Sequence, residues 1–287
     1  MMNGILVVNK DLGYTSRDVV NIVSKVLNTK KVGHTGTLDP MATGVLVLCV
    51  GNALKLCELL TEHDKKYIAG ITLGIETDTL DMEGNVLSTE SVDIDKDKIY
   101  EAVNYFKGSY MQEVPKYSAV KVNGKKLYEY ARNNIDVKLP SKMVNIYDIE
   151  IIDDILYDNG KIHFKIKTSV SKGTYIRSLV RDIGLKLGVP AVMNSLVRNT
   201  LGEFNLDDAY SIDDIKNSNF KLIPILDILP NMKRINVSDE MAFKVRNGVI
   251  LEPFFDGDRA FILDKEDNLI AIYENVNNKA RVYKMFV

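Results

Sequence analysis

The sequence is poor in the side chains that most often hold metals or cross-links. Of 287 residues only two are cysteine, Cys49 and Cys57, and three are histidine. Both cysteines lie in apolar stretches, VLVLCV and LKLCELL, which points to buried thiols rather than a disulfide. The histidines are scattered without zinc-type spacing, so no metal is expected. No apolar run approaches the roughly 20 residues needed to span a bilayer. The opening MMNGILVVNKDLG lacks the basic start and long apolar core of a signal peptide. Internal repeats and low-complexity tracts are also missing. A cytoplasmic, metal-free protein with no membrane partner is expected. Net charge is scarce too, at −2, which at first argues against a polyanionic partner.

The distribution of charge removes that objection. Residues 107–200 hold 16 Lys and Arg against 9 Asp and Glu, or +7, and the remainder holds 21 against 30, or −9. Association with a polyanion depends on local potential rather than on the total. At 46% hydrophobic and 26% charged residues, the chain has the composition of an ordinary globular protein, long enough for one large core or two domains.

The pattern predicts a strand over 5–8, then a helix capped by Thr15 or Ser16 and running to about Leu27. Val19, Val20, Ile22, Val23, Val26 and Leu27 form its apolar stripe. Further strands are expected over 45–50, over 67–73 (Tyr67, Ala69, Ile71 and Leu73 on one face) and over 161–168. Helical spacing marks Ile99, Ala102, Val103 and Phe106, and again Ile176, Leu179, Val180, Ile183 and Leu187. The acidic stretch ETDTLDMEG from Glu76 lacks the register of an EF-hand and reads as a polar turn. Helices and strands interleave without regular βαβ alternation, so the fold class is α+β. Beyond 224–230, short strand-like runs between Asp, Asn and Gly turns indicate a small β-rich module from about residue 231.

The most informative run is GHTGTLDPMATGVL, residues 33–46. A bare Asp-Pro is ordinarily a surface turn. Here Asp39 sits among a histidine, three threonines and three glycines, which is costly chain entropy to fix for a turn. Gly33, Gly36 and Gly44 permit backbone conformations closed to other residues, and Pro40 presets φ just after the acid. Asp39 is the expected reaction centre.

This run resembles the signature of the TruB family of pseudouridine synthases. Matching motifs follow in order: GILVVNKDLGYTS, KKYIAGITLG, VPKYSAVKVNGKKLYEYAR, SKGTYIRSLVRDIG and SLVRNTLGEF. The resemblance implies isomerisation of uridine 55 in the T loop of tRNA, with no cofactor and no guide RNA, by a protein expected to be a monomer. It implies a pseudouridine synthase catalytic fold over 1–230, with a central, mostly antiparallel sheet and an RNA-binding thumb at about 115–142. A PUA-like RNA-binding domain would follow over 231–287.

Residue by residue, Asp39 matches the family nucleophile and Arg177 its paired arginine, whose planar fork suits a carboxylate. Tyr67 matches the active-site tyrosine, with a face to stack on uracil and a hydroxyl to assist proton removal. Tyr175 and Leu196 match pocket positions, although both also fit apolar core patterns. His34 matches a base-flipping wedge. Lys10 lies in the N-terminal motif, where it supports the active loop. Asp11, Lys116, Met41 and Val197 depart from the commoner residues without removing a catalytic group. Two other outcomes remain open: a guide-dependent dyskerin-like enzyme, and a non-catalytic tRNA-binding or folding protein.

Overall fold

The apolar runs pair into one long sheet in the computed structural model, which describes residues 2–286. Seven strands form its main path: β1 (Gly4–Lys10), β2 (Ala42–Val50), β3 (Lys65–Leu73), β4 (Gly108–Glu113), β5 (Ser141–Ile151), β6 (Lys161–Val170) and β7 (Ala191–Leu201). Their lateral order is β1-β2-β7-β3-β6-β5-β4. The short strands Val32–His34, Leu156–Asp158 and Phe204–Asn205 pair with β2, β6 and β7 and complete a ten-stranded sheet. All pairings along the path are antiparallel except β7 with β2, where Leu196, Val197 and Arg198 run parallel to Ala42, Thr43 and Gly44.

Three helices cover one face: α1 (Ser16–Val26), α2 (Lys96–Tyr105) and α3 (Ile176–Leu187). Thr15 caps α1 by a reciprocal box, its hydroxyl accepting from the Asp18 amide at 3.1 Å while Asp18 accepts from the Thr15 amide at 2.9 Å. Val19 and Val23 of α1, Ile99 and Val103 of α2, and Leu179 and Ile183 of α3 join Leu46, Leu48, Ile71 and Phe164 of the sheet in one buried core. Truncating one such side chain to Ala costs about 2–5 kcal/mol. Among the described residues no helix is long and apolar enough to cross a membrane.

The opposite face of β1 and β2 is covered by the C-terminal part of the chain. There, β8 (Lys233–Asn236), β9 (Arg259–Leu263), β10 (Leu269–Val276) and β11 (Lys279–Met285) form a second sheet in that order, with α4 (Asp239–Arg246) against it. Ile228, Phe261, Ile272 and Phe286 pack directly on Ile5, Val7, Val45 and Val47. The β-rich part therefore shares a core with the larger sheet.

Residues 114–140 emerge from the β4–β5 hairpin, where Glu113 faces Ser141 and the Val114 amide donates to the Pro140 carbonyl at 3.0 Å. They contain the small strands Lys121–Val122 and Lys125–Lys126 and the helix Leu127–Arg132.

Of the three glycines singled out in the 33–46 run, Gly44 alone has a positive φ, at +98°. A Cβ there would stand 2.4 Å from the Arg198 carbonyl oxygen, backbone against side chain, where the two parallel strands meet. Gly44→Ala is expected to destabilise by more than about 1 kcal/mol from the left-handed backbone alone, with the clash added, read as a lower urea midpoint.

Candidate active site

The segment carrying Asp39 runs between the strand Val32–His34 and β2, and buried groups pin it along its length. The Ser16 hydroxyl receives the Leu38 amide at 2.9 Å, and the Ala42 amide donates to the Asp39 carbonyl at 3.0 Å. From β1, the fully buried Lys10 ammonium donates to the carbonyls of Tyr14 (2.7 Å), Asp11 (3.0 Å) and Pro40 (3.3 Å). Burial pushes the Lys10 pKa down to about 8. From β7, the buried Arg198 donates to the carbonyls of Val45 (2.7 Å), Gly36 (3.1 Å) and Thr37 (3.5 Å). Lys10 thus braces the backbone just after the acid, and Arg198 holds it on either side. Both braces act below the surface.

Arg177 lies in the first turn of α3, which follows the end of β6 at Val170 after the short connection 171–175. Its start is fixed by Gln112 of β4, fully buried, whose amide oxygen accepts from the Tyr175 amide at 2.8 Å and whose nitrogen donates to the Tyr175 carbonyl at 3.1 Å. Arg177 Nε forms an ion pair with Asp39 Oδ2 at 3.0 Å. Nη1 donates to the Thr79 carbonyl at 3.0 Å and lies 3.5 Å from Asp81 Oδ2, while Nη2 donates to the Tyr117 carbonyl at 3.1 Å.

This corrects the expected two-pronged clamp on Asp39. A single guanidinium edge atom holds the carboxylate, and the fork is spent on two carbonyls and a second acid. The side chains of Arg177 and Asp81 are 8% and 6% exposed, against 37% for Asp39. A buried cation is therefore balanced by one buried carboxylate and one that opens to solvent. The arrangement presents Asp39 as an oriented anion at a cleft wall.

Asp81 also corrects the view of the acidic stretch as a mere polar turn. Thr79 Oγ1 donates to its Oδ1 at 2.6 Å, and the flanking Leu80 and Met82 exchange backbone hydrogen bonds with Met193 of β7 at 3.1 Å each. Those bonds hold an acid beneath Arg177. Nearby Asp78, by contrast, only closes the turn on Asn85, at 2.8 Å and 3.1 Å.

Asp39 and Arg177 line a cleft of about 530 Å³ whose walls include Tyr67, Tyr175 and Leu196. The volume falls in the range of small-ligand pockets, roughly 300–1,000 Å³. Tyr67 is 7% exposed and belongs to the main core as well as to the cleft wall. The Lys142 ammonium stands 4.5 Å from the Tyr175 ring centroid, and burial raises the Tyr175 hydroxyl pKa. Tyr117, Ser118 and Tyr128 bring the 114–140 segment to the same cleft.

Two expected site residues lie outside this lining. Lys10 is beneath the loop. His34 ends its strand opposite Leu48, half-buried, with its Nδ1 lacking a hydrogen-bond partner among the described residues. Burial, with the charges of Arg17 and Arg198, lowers its pKa and keeps the imidazole neutral at pH 7. Sequence reasoning missed Asp81, Gln112, Arg198 and Lys65, and also that Cys57 is only partly buried, at the edge of a core cluster. Gln112 and Arg198 bond to backbone groups far along the chain, Lys65 bonds to the nearby carbonyls of Thr61 and His63, and Asp81 meets Thr79 and the distant Arg177, so residue type alone does not single them out.

The model of the TruB family pseudouridylate synthase N-terminal domain matches residues 24–176, and that of the tRNA pseudouridylate synthase B C-terminal domain matches 177–222. The chain is 43% identical over 287 residues to tRNA pseudouridine synthase B of Bacillus subtilis strain 168, covering 95% of this chain and 93% of that protein. Its counterpart in Staphylococcus aureus strain Newman is 43% identical over 288 residues, with 95% and 94% covered. Among solved structures, an H/ACA RNP bound to a substrate RNA containing 2′-deoxyuridine shares the fold at a TM-score of 0.68 and 23% identity, over 99% of this chain and 85% of that one. A Cbf5-Nop10-Gar1 complex gives 0.67 at 23% identity, with the same coverage. The chain belongs to the TruB family of pseudouridylate synthases, enzymes of the isomerase class.

Proposed function

We propose that this protein, acting in the cytoplasm as a monomer, isomerises uridine 55 in the T loop of tRNA to pseudouridine, without a guide RNA. The observation that carries this is the partly open Asp39 carboxylate fixed by the buried Arg177 at the wall of a uridine-sized cleft. The reaction breaks the N1–C1′ bond, turns the uracil and joins C5 to C1′, with the C5 proton exchanged for one on N1. No atoms are gained and no redox change occurs, so the chemistry requires no cofactor.

In this reading Asp39 is the nucleophile, and Arg177 pairs with it and keeps it aimed. Tyr67 stacks beneath the base, its hydroxyl near the proton that leaves C5. Tyr175 and Leu196 close the pocket around the ring. His34, at the end of its strand and outside the cleft, fills the gap left in the RNA when the nucleotide flips out, and Lys10 keeps the loop in register. The segment 114–140, with Lys121, Lys125 and Lys138 exposed, closes on the T arm as a thumb. Residues 231–287 form a PUA-like RNA-binding domain.

The test is incubation of the purified protein with an unmodified T-arm hairpin, with pseudouridine mapped by nucleotide. A single uridine is expected to be converted with nothing else added, and binding is expected to weaken as salt rises, since phosphate contacts release counterions. A requirement for guide RNA would favour the dyskerin-like alternative. Tight binding without conversion would leave a non-catalytic RNA binder.

A further inference from the structure

Two cations in the cleft wall form no ion pair among the described residues. Lys65, at the start of β3, is 8% exposed, and Arg198 of β7 is 1% exposed. Both line the cleft. Lys65 Nζ donates to the carbonyls of His63 (2.6 Å) and Thr61 (3.3 Å), and Arg198 donates only to the carbonyls of Val45, Gly36 and Thr37. Neither forms an ion pair with a carboxylate among the described residues.

The two are also close together. A methyl group built on Gly36 would stand 3.6 Å from Arg198 Nη1 and 3.9 Å from Lys65 Cε, so both side chains reach the same point beside this glycine on the cleft wall. Burial, reinforced by the Arg198 charge and only partly offset by Asp64 and Glu62, pushes the Lys65 pKa down to about 8.

Burying one cation without a partner costs several kcal/mol, and two neighbours add mutual repulsion. Carbonyls satisfy hydrogen bonds without neutralising charge. An ammonium has three donors and a guanidinium five, so donors remain on both after these contacts. The unmet requirement is an anion with several acceptor oxygens. Lys172, also on the cleft wall, is half-exposed and already paired with Glu62, so it does not meet that requirement.

We propose that Lys65 and Arg198, meeting beneath Gly36, form a subsite for a backbone phosphate of the bound RNA, the phosphodiester adjoining the nucleotide that enters the cleft. The proposal rests on the cleft being the RNA site described above, and adds where the polyanion is gripped within it. Binding would then discharge a repulsion built into the free protein.

The test replaces single phosphates around the target uridine of a T-arm hairpin, one at a time, with neutral methylphosphonates. One of the two flanking replacements is expected to weaken binding to the wild-type protein about tenfold. Lys65→Gln is expected to weaken binding of the native hairpin comparably, and the two losses should not add, since both remove one contact. If Lys65→Gln does not fold, Arg198→Lys takes its place in the same cycle. A flat scan on the wild-type protein, or losses that add fully, would overturn the proposal and leave both residues as loop braces. Conversion of the native hairpin together with a flat scan defeats the subsite alone. Failure of the wild-type protein to convert the native hairpin defeats the reading of the cleft.

Discussion

Replacing Asp39 by Asn is expected to reduce isomerisation at least about a thousandfold, equivalent to ~4 kcal/mol of barrier, while RNA affinity stays within about tenfold, or ~1.4 kcal/mol. The substitution keeps the shape of the side chain and can place its amide oxygen where Oδ2 now faces Arg177 Nε. Arg177 retains its buried partner Asp81 and its two carbonyls, so the fold keeps its charge balance there. What disappears is the only anion of the pair that opens to solvent. Tritium release from RNA labelled at uracil C5 measures the rate, and filter binding measures affinity. Substantial turnover by a folded Asp39→Asn protein would remove Asp39 from the chemistry.

Arg177→Lys tests a different property, the shape of the cation. The guanidinium reaches four acceptors on three segments at 3.0–3.5 Å: Asp39, Thr79, Asp81 and Tyr117. An ammonium on a linear stem has three donors from one point and cannot span them. It will settle on the buried Asp81 side or on Asp39, leaving the other acceptors without a donor in a site where each orphaned polar group costs about 1–3 kcal/mol. Activity is therefore expected to fall by about a hundredfold or more, with thermal stability also lowered. A variant running near the wild-type rate would mean that Arg177 supplies charge alone and that orientation of Asp39 comes from the loop.

The parts of this architecture that could be read in advance are those encoded by neighbours in sequence. The α1 stripe and its Thr15 cap, the alternation of β6 and the buried run of β2 are local patterns, and they fold as their periods dictate. Asp39 stood out because glycines and threonines crowd around it, and Arg177 because it opens a helix within a matching motif. Asp81 did not stand out, since its burial depends on Leu80 and Met82 bonding to Met193, far along the chain. Arg198 and Lys65 read as ordinary strand charges. Their acceptors, Gly36, Thr37, Thr61 and His63 among them, are backbone atoms, which leave no mark in a sequence. The single-atom grip of Arg177 on Asp39 was hidden for the same reason: two of its competing acceptors are carbonyls.

The core shared by β1, β2 and the second sheet has a consequence for synthesis. Ile5 and Ile223 exchange backbone hydrogen bonds at 2.8 Å and 2.9 Å, and the carbonyls of Met285 and Phe286 receive Lys55 and Asn52 at 2.6 Å and 3.2 Å. β1 is thus made long before the strands that cover it. At about 5–20 residues per second, the apolar face of Ile5, Val7, Val45 and Val47 waits through most of translation for Phe261, Ile272 and Phe286 to emerge. A weakening substitution such as Phe261→Ala, remote from every cleft residue, should therefore appear first as aggregated nascent chains and a low soluble yield, with the molecules that do escape fully competent.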